Sequence, residues 1–126
     1  MATIKKFSDL EVWKRSHTFV LALYKATDAL PASEQFGLTS QMRRAGVSIT
    51  SNIAEGFDRS STREFKQFLI VSRASLSEVQ SQLLIARDLG FLRKEVFDAL
   101  ANESQQIHKM INGLIKHLLT RQLTNS

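Results

Sequence analysis

The chain has 126 residues, 43% of them hydrophobic, and carries 17 Lys and Arg against 12 Asp and Glu, a formal net charge of +5. It has no cysteine, one proline and five glycines. The length fits one domain, residues 1–126. The composition excludes disulfides, thiolate metal sites and cysteine nucleophiles, and leaves too few turn residues for a many-stranded β fold.

An all-α chain of long helices is therefore expected. The opening MATIKKFSDL follows its lysines with polar residues rather than an apolar run, which is not the pattern of a signal peptide. No stretch approaches the ~18 apolar residues of a membrane span. A cytoplasmic protein without membrane contact is the expectation.

The first predicted helix covers about 9–30. Ser8 and Glu11 have the spacing of a capping box. Leu10, Trp13, His17, Val20 and Tyr24 recur at alternating spacings of 3 and 4, while Val12, Phe19, Leu23, Ala26 and Leu30 form a second stripe. His17, on the first stripe, is expected to hydrogen-bond internally. Only Glu11, Lys14, Arg15, Thr18 and Lys25 stay on a polar arc, which is more apolar surface than a monomeric bundle uses. Leu30-Pro31 ends the segment, because proline disfavours helical geometry in the residue before it, and PASEQFG (31–37) is read as a loop.

The second helix is predicted over 38–55, with Leu38, Met42, Ala45, Ile49 and Ile53 inward. Its SITSNIAEG run (48–56) is small and polar, which permits close helix approach. Asn52 is expected to hydrogen-bond a facing group. Glu55 lies at the end of the helix where the dipole disfavours an acid, which calls for a cationic partner such as Arg59. Both are read as structural polar residues. The third helix, 62–88, opens on a Ser61–Glu64 capping box and turns Phe65, Phe68, Ser72, Leu76, Val79, Leu83 and Ala86 inward. Gly90 suits the left-handed position after its end. The fourth helix, 93–120, carries Phe97, Leu100, Ser104, Ile107, Ile111, Leu114 and Leu118, and the tail after Leu123 is expected to fray. Short loops make the simplest arrangement an antiparallel up-down-up-down four-helix bundle.

Enzyme chemistry finds little purchase. Three histidines, His17, His108 and His117, lack the Glu-x-x-His pairing of di-iron bundles, and no HExxH, phosphate loop or GxSxG occurs. His108 and His117 read as surface or interface residues. No cofactor, metal or catalytic residue is expected. The cations are more informative. Residues 38–75 balance at +3, against +1 for the first 37 residues and +1 for the last 51. That stretch holds Arg43, Arg44, Arg59, Arg63, Lys66 and Arg73. Two roles fit them: a phosphate-binding surface, which suits arginine's planar donor fork, or pairing with acids on neighbouring helices or subunits.

FSDLEVW (7–13), FGLTSQMRRA (36–45), SITSNIAEG (48–56), REFKQFL (63–69) and SLSEVQSQLLIARDLGFL (75–92) together resemble the four helix bundle protein family, first met as proteins encoded in intervening sequences of bacterial 23S rRNA genes. Relatives usually have proline and alanine where Thr50 and Ser51 stand here, and an apolar residue and glycine in place of Arg73 and Ala74. The resemblance implies a homopentameric ring of antiparallel bundles. It also implies distant similarity to the accessory variability protein of diversity-generating retroelements, a positively charged barrel that binds nucleic acid and a reverse transcriptase. The expected function is thus non-enzymatic: a homo-oligomer that binds RNA or DNA through a basic surface, or alternatively a protein-binding scaffold whose arginines serve subunit contacts. Five copies would multiply the charge to about +25 on one particle.

Overall fold

Four α-helices carry the chain in the computed structural model: α1 Glu11–Thr27, α2 Leu38–Phe57, α3 Thr62–Asp88 and α4 Lys94–Thr124. The structure describes residues 3–124, with side chains described for 3–120. The expectation for the tail after Leu123 falls almost wholly outside them. Short 3₁₀ turns at Phe7–Asp9 and Ala32–Glu34 precede α1 and α2.

Side-chain contacts fix the topology. Arg43 on α2 meets Thr27 at the end of α1, whereas Gly46 lies against Leu23 and Val20. Ser48 bonds Ser75 and Ile49 accepts from Ser72, so α3 runs back along α2. Gln80 opposite Ser104 and Arg73 opposite Asn112 reverse α4 against α3. α4 then closes on α1, where Arg15 Nε and Nη2 grip the Glu103 carboxylate, each at 2.9 Å. That carboxylate raises the pKa of Arg15, chiefly by accepting its hydrogen bonds. The result is the antiparallel up-down-up-down bundle that the short connections imply.

The inward stripes pack as their spacing requires. Val12, Phe19, Leu23, Met42, Ile49, Ile53, Leu69, Leu76, Leu83, Ile107 and Ile111 are all buried in one core. Burial of each such side chain contributes about 1.5–3 kcal/mol. α2 packs tightly on α3 at Gly56, where an added Cβ would stand 2.7 Å from Phe68 Cβ. Ser72 satisfies its buried hydroxyl by donating to the Ile49 carbonyl at 2.8 Å.

Several local expectations are corrected. α1 starts at Glu11 behind Leu10, with no side-chain cap from Ser8. Asp9 takes the capping role in the preceding turn, accepting from the backbone N–H groups of Lys5 and Lys6 at 3.0 and 3.1 Å. Those bonds hold its carboxyl below the usual carboxylate range. α1 ends at Thr27 rather than residue 30, and the chain turns through Asp28–Leu30 with Leu30 still buried. Apolar periodicity therefore outlasts the helix. His17 is exposed and stacks on Trp13 with ring centroids 4.7 Å apart, instead of hydrogen-bonding in the core. On α3, Leu69 is fully buried and Phe68 only half-buried.

The α3 boundaries follow the expected caps. Ser61 Oγ accepts from the Glu64 N–H at 3.1 Å, while the Glu64 carboxylate accepts from the Ser61 hydroxyl rather than its N–H. Gly90 has φ +76°, and the following Phe91 N–H reaches the Ala86 carbonyl, a Schellman closure.

Candidate nucleic-acid interface

The six cations singled out in the sequence do not share one surface. Arg43 lies at the α1–α2 end of the bundle with its Nε and Nη2 donors engaged. Nε donates to Thr27 Oγ1 at 2.8 Å, and Nη2 donates to the Tyr24 carbonyl at 3.1 Å and to Asp28 Oδ1 at 2.9 Å. The guanidinium also stands 4.8 Å from the centroid of the Tyr24 ring. Thr27 and Tyr24 belong to the last turns of α1, where carbonyls lack helical partners. Arg43 thus closes that helix end.

Arg44 stays exposed on the α2 flank towards α3 and makes no hydrogen bond or ion pair among the described residues. Asn52, on the same flank, donates to the carbonyl and hydroxyl of Ser48 in its own helix at 2.8 and 3.0 Å. Ser48 in turn bonds Ser75 of α3 at 2.8 Å, so Asn52 reaches the facing helix through Ser48 rather than directly. Glu55 is exposed and forms no ion pair with Arg59. Arg59 instead places its guanidinium 4.8 Å from the Phe68 ring centroid, and that guanidinium makes no hydrogen bond among the described residues.

The remaining cations gather along α3. Arg63 lies in its first turn, and Lys66 and Arg73, seven residues apart, share a helical face. Arg73 Nη1 donates to Asn112 Oδ1 at 2.9 Å, which fixes the side on which that face lies. On α4, Lys109, Asn112 and Lys116 recur at spacings of 3 and 4, again one face. Lys66, Lys109 and Lys116 therefore lie around the Arg73–Asn112 contact, which brings four cations to this face. No acid occurs in residues 65–77 of α3 or 104–126 of the fourth segment. Glu103, the last acid of the chain, faces away to Arg15 on α1.

Lys109 and Lys116 do not stand out in the sequence when charge is summed over contiguous stretches. The last 51 residues balance at +1, yet all their acids precede Ser104, so the final part is uniformly basic. Acid-free runs, rather than segment totals, are the signal that marks them.

The cations of this face carry donors that can hold an anion. His17 is exposed on Trp13, His117 is exposed and His108 half-buried, and among the described residues no group of three or more His, Asp or Glu is placed to hold a metal ion. Among the described residues, no helix is long and apolar enough to cross a membrane.

A family model described as "23S rRNA-intervening sequence protein" matches residues 8–113. A crystal structure of a protein with unknown function from the S23 ribosomal protein family of Bacteroides thetaiotaomicron VPI-5482 superposes with a TM-score of 0.78 at 24% identity. The match covers 83% of this chain and 98% of that one, a likeness of fold. Among curated proteins, none matches this chain.

Proposed function

The chain belongs to the 23S rRNA-intervening sequence protein family, and we propose that it is a non-enzymatic, homo-oligomeric helical bundle that holds single-stranded RNA or DNA by its phosphates. The acid-free cationic face of α3 and α4 carries this reading. Lys66, Arg73, Lys109 and Lys116 form its centre, and Arg59 and Arg63 extend it around the α2–α3 turn. Arg44 adds a separate positive point on the neighbouring flank. Arg73 spends one donor on Asn112 and keeps the rest of its fork for an incoming phosphate. Arg43 serves the fold through contacts within its own chain, and so belongs neither to the phosphate surface nor to the subunit contacts of a protein-binding scaffold.

Phosphate contacts position a strand without reading its sequence. A fluorescein-labelled single-stranded RNA is expected to bind at low ionic strength, and inorganic polyphosphate is expected to displace it. Absence of binding at low salt would sink the proposal.

Self-association has its own support. Leu21 is 58% exposed, Tyr24 39% and Val47 41%. Tyr24 meets Arg43 across α1 and α2, so Leu21, one turn back, and Val47, one turn on, fall beside one another. Of this strip only Tyr24 belongs to the apolar stripes of the first helix, Leu21 borders its polar arc and Val47 comes from α2, and the strip suits a contact between copies. Five copies is the number the family resemblance implies. Leu21→Glu with Val47→Glu is expected to give monomers by light scattering without loss of helicity. An unchanged particle mass would place the contact elsewhere.

A further inference from the structure

The groove between α3 and α4 continues past the cationic face into a cavity of about 270 Å³, walled by Gln80, Leu84, Phe97, Ala101, Ser104 and Gln105. That volume lies just below the roughly 300–1,000 Å³ typical of small-ligand pockets, room for one planar ring system. Its lining combines an aromatic ring and aliphatic walls with side-chain amides. Gln80 Nε2 donates to Ser104 Oγ at 3.1 Å, and that hydroxyl donates onward to the Ala101 carbonyl at 2.7 Å. Gln80 is thereby held in place, while its carbonyl oxygen and the exposed Gln105 amide have no hydrogen-bond partner among the described residues. The cavity and the Arg73–Asn112 contact are about two helical turns apart along the same groove, roughly 11 Å at 1.5 Å per residue.

We propose that this cavity receives one unstacked base of a single strand whose phosphates lie on Lys66, Arg73, Lys109 and Lys116. The chemistry favours a base over a simple anion. No cation lines the cavity, whereas an amide presents the paired donor and acceptor that match a base edge, adenine above all. Single-stranded RNA is commonly read in this way, by a base turned out of its stack and held by aromatic and polar side chains. The inference rests on the phosphate-binding reading above and adds to it a contact that depends on the base.

The experiment compares a short fluorescein-labelled oligoadenylate with an abasic strand of the same length and charge, by fluorescence anisotropy. The full-length protein is expected to bind oligoadenylate at least about fivefold more tightly, the low end of what one stacked base contributes. Ala101→Phe, which fills the cavity, is expected to remove that difference and leave the abasic strand bound as before. Gln105→Ala, an exposed and helix-favouring change, is expected to narrow the same difference, and serves if the larger side chain disturbs packing. Equal binding of the two strands by the unaltered protein overturns the base pocket and leaves the phosphate face standing. The base pocket is equally overturned if both variants weaken the two strands alike. Failure of both strands to bind overturns both proposals together.

Discussion

Lys66→Glu, Arg73→Glu, Lys109→Glu and Lys116→Glu in one protein are expected to reduce single-stranded RNA binding by at least about a hundredfold at low salt. The substitution turns four positive charges around one contact into four negative ones. Each lost phosphate contact removes a released counterion, and each new carboxylate repels the strand. A hundredfold loss corresponds to about 2.7 kcal/mol, modest for so many reversals. The fold is expected to survive. Lys109 and Lys116 are exposed and Lys66 and Arg73 half-buried; exposed positions usually change stability by no more than about 0.5 kcal/mol, and glutamate forms helices about as well as lysine or arginine. Among the described residues, only Arg73 of these four side chains gives up a hydrogen bond, the one it donates to Asn112. Circular dichroism and thermal melting check that the effect belongs to the surface. RNA binding that survives all four reversals would remove this face from the site.

Arg43→Ala is expected to do the reverse: lower stability by about 1.5–2 kcal/mol and leave RNA affinity within about twofold. Hydrogen bonds to charged groups contribute about 1.5–3 kcal/mol. The Arg43 side chain remains 29% exposed, which places its contribution at the low end. Its removal strips the Tyr24 carbonyl and the Thr27 hydroxyl of a donor at the close of α1. The Asp28 pairing matters less, because that carboxylate is 80% exposed and water replaces the partner. Arg43→Lys should rescue little, since a single ammonium cannot span the three acceptors that the planar fork meets. Melting temperature and RNA anisotropy on the same preparations decide the matter. A protein that melts normally but no longer binds RNA would return Arg43 to the binding surface.

The contrast between Arg43 and Lys66 shows how far sequence alone reaches. Both stand in one basic stretch of sequence, and composition treats them alike. Arg43 is spent because α1 stops at Thr27 and presents its last carbonyl groups and a hydroxyl, a stop that apolar periodicity hides by running on to the buried Leu30. Where local capping chemistry and periodicity agree, as at Ser61 and Gly90, the bounds of α3 are readable to the residue. Where a carboxylate outside the pattern does the capping, as Asp9 does before α1, the start is misplaced. Core stripes on α2 and α4 are readable because spacing alone decides which residues face inward. The interface is half readable. Lys66 and Arg73 stand out on charge, whereas Lys109 and Lys116 join them only because an antiparallel α4 lays its second half beside the first half of α3.

The most direct measurement of the phosphate-binding claim is the salt dependence of single-stranded RNA affinity. Four to six neutralised phosphates on a single strand give a slope of log K against log salt between about −2.8 and −4.2. Replacing Lys109 alone with glutamine should shallow that slope by about 0.7, and Arg43→Ala should leave it unchanged. A slope near zero, or one that Lys109→Gln does not alter, would contradict the assignment of this face.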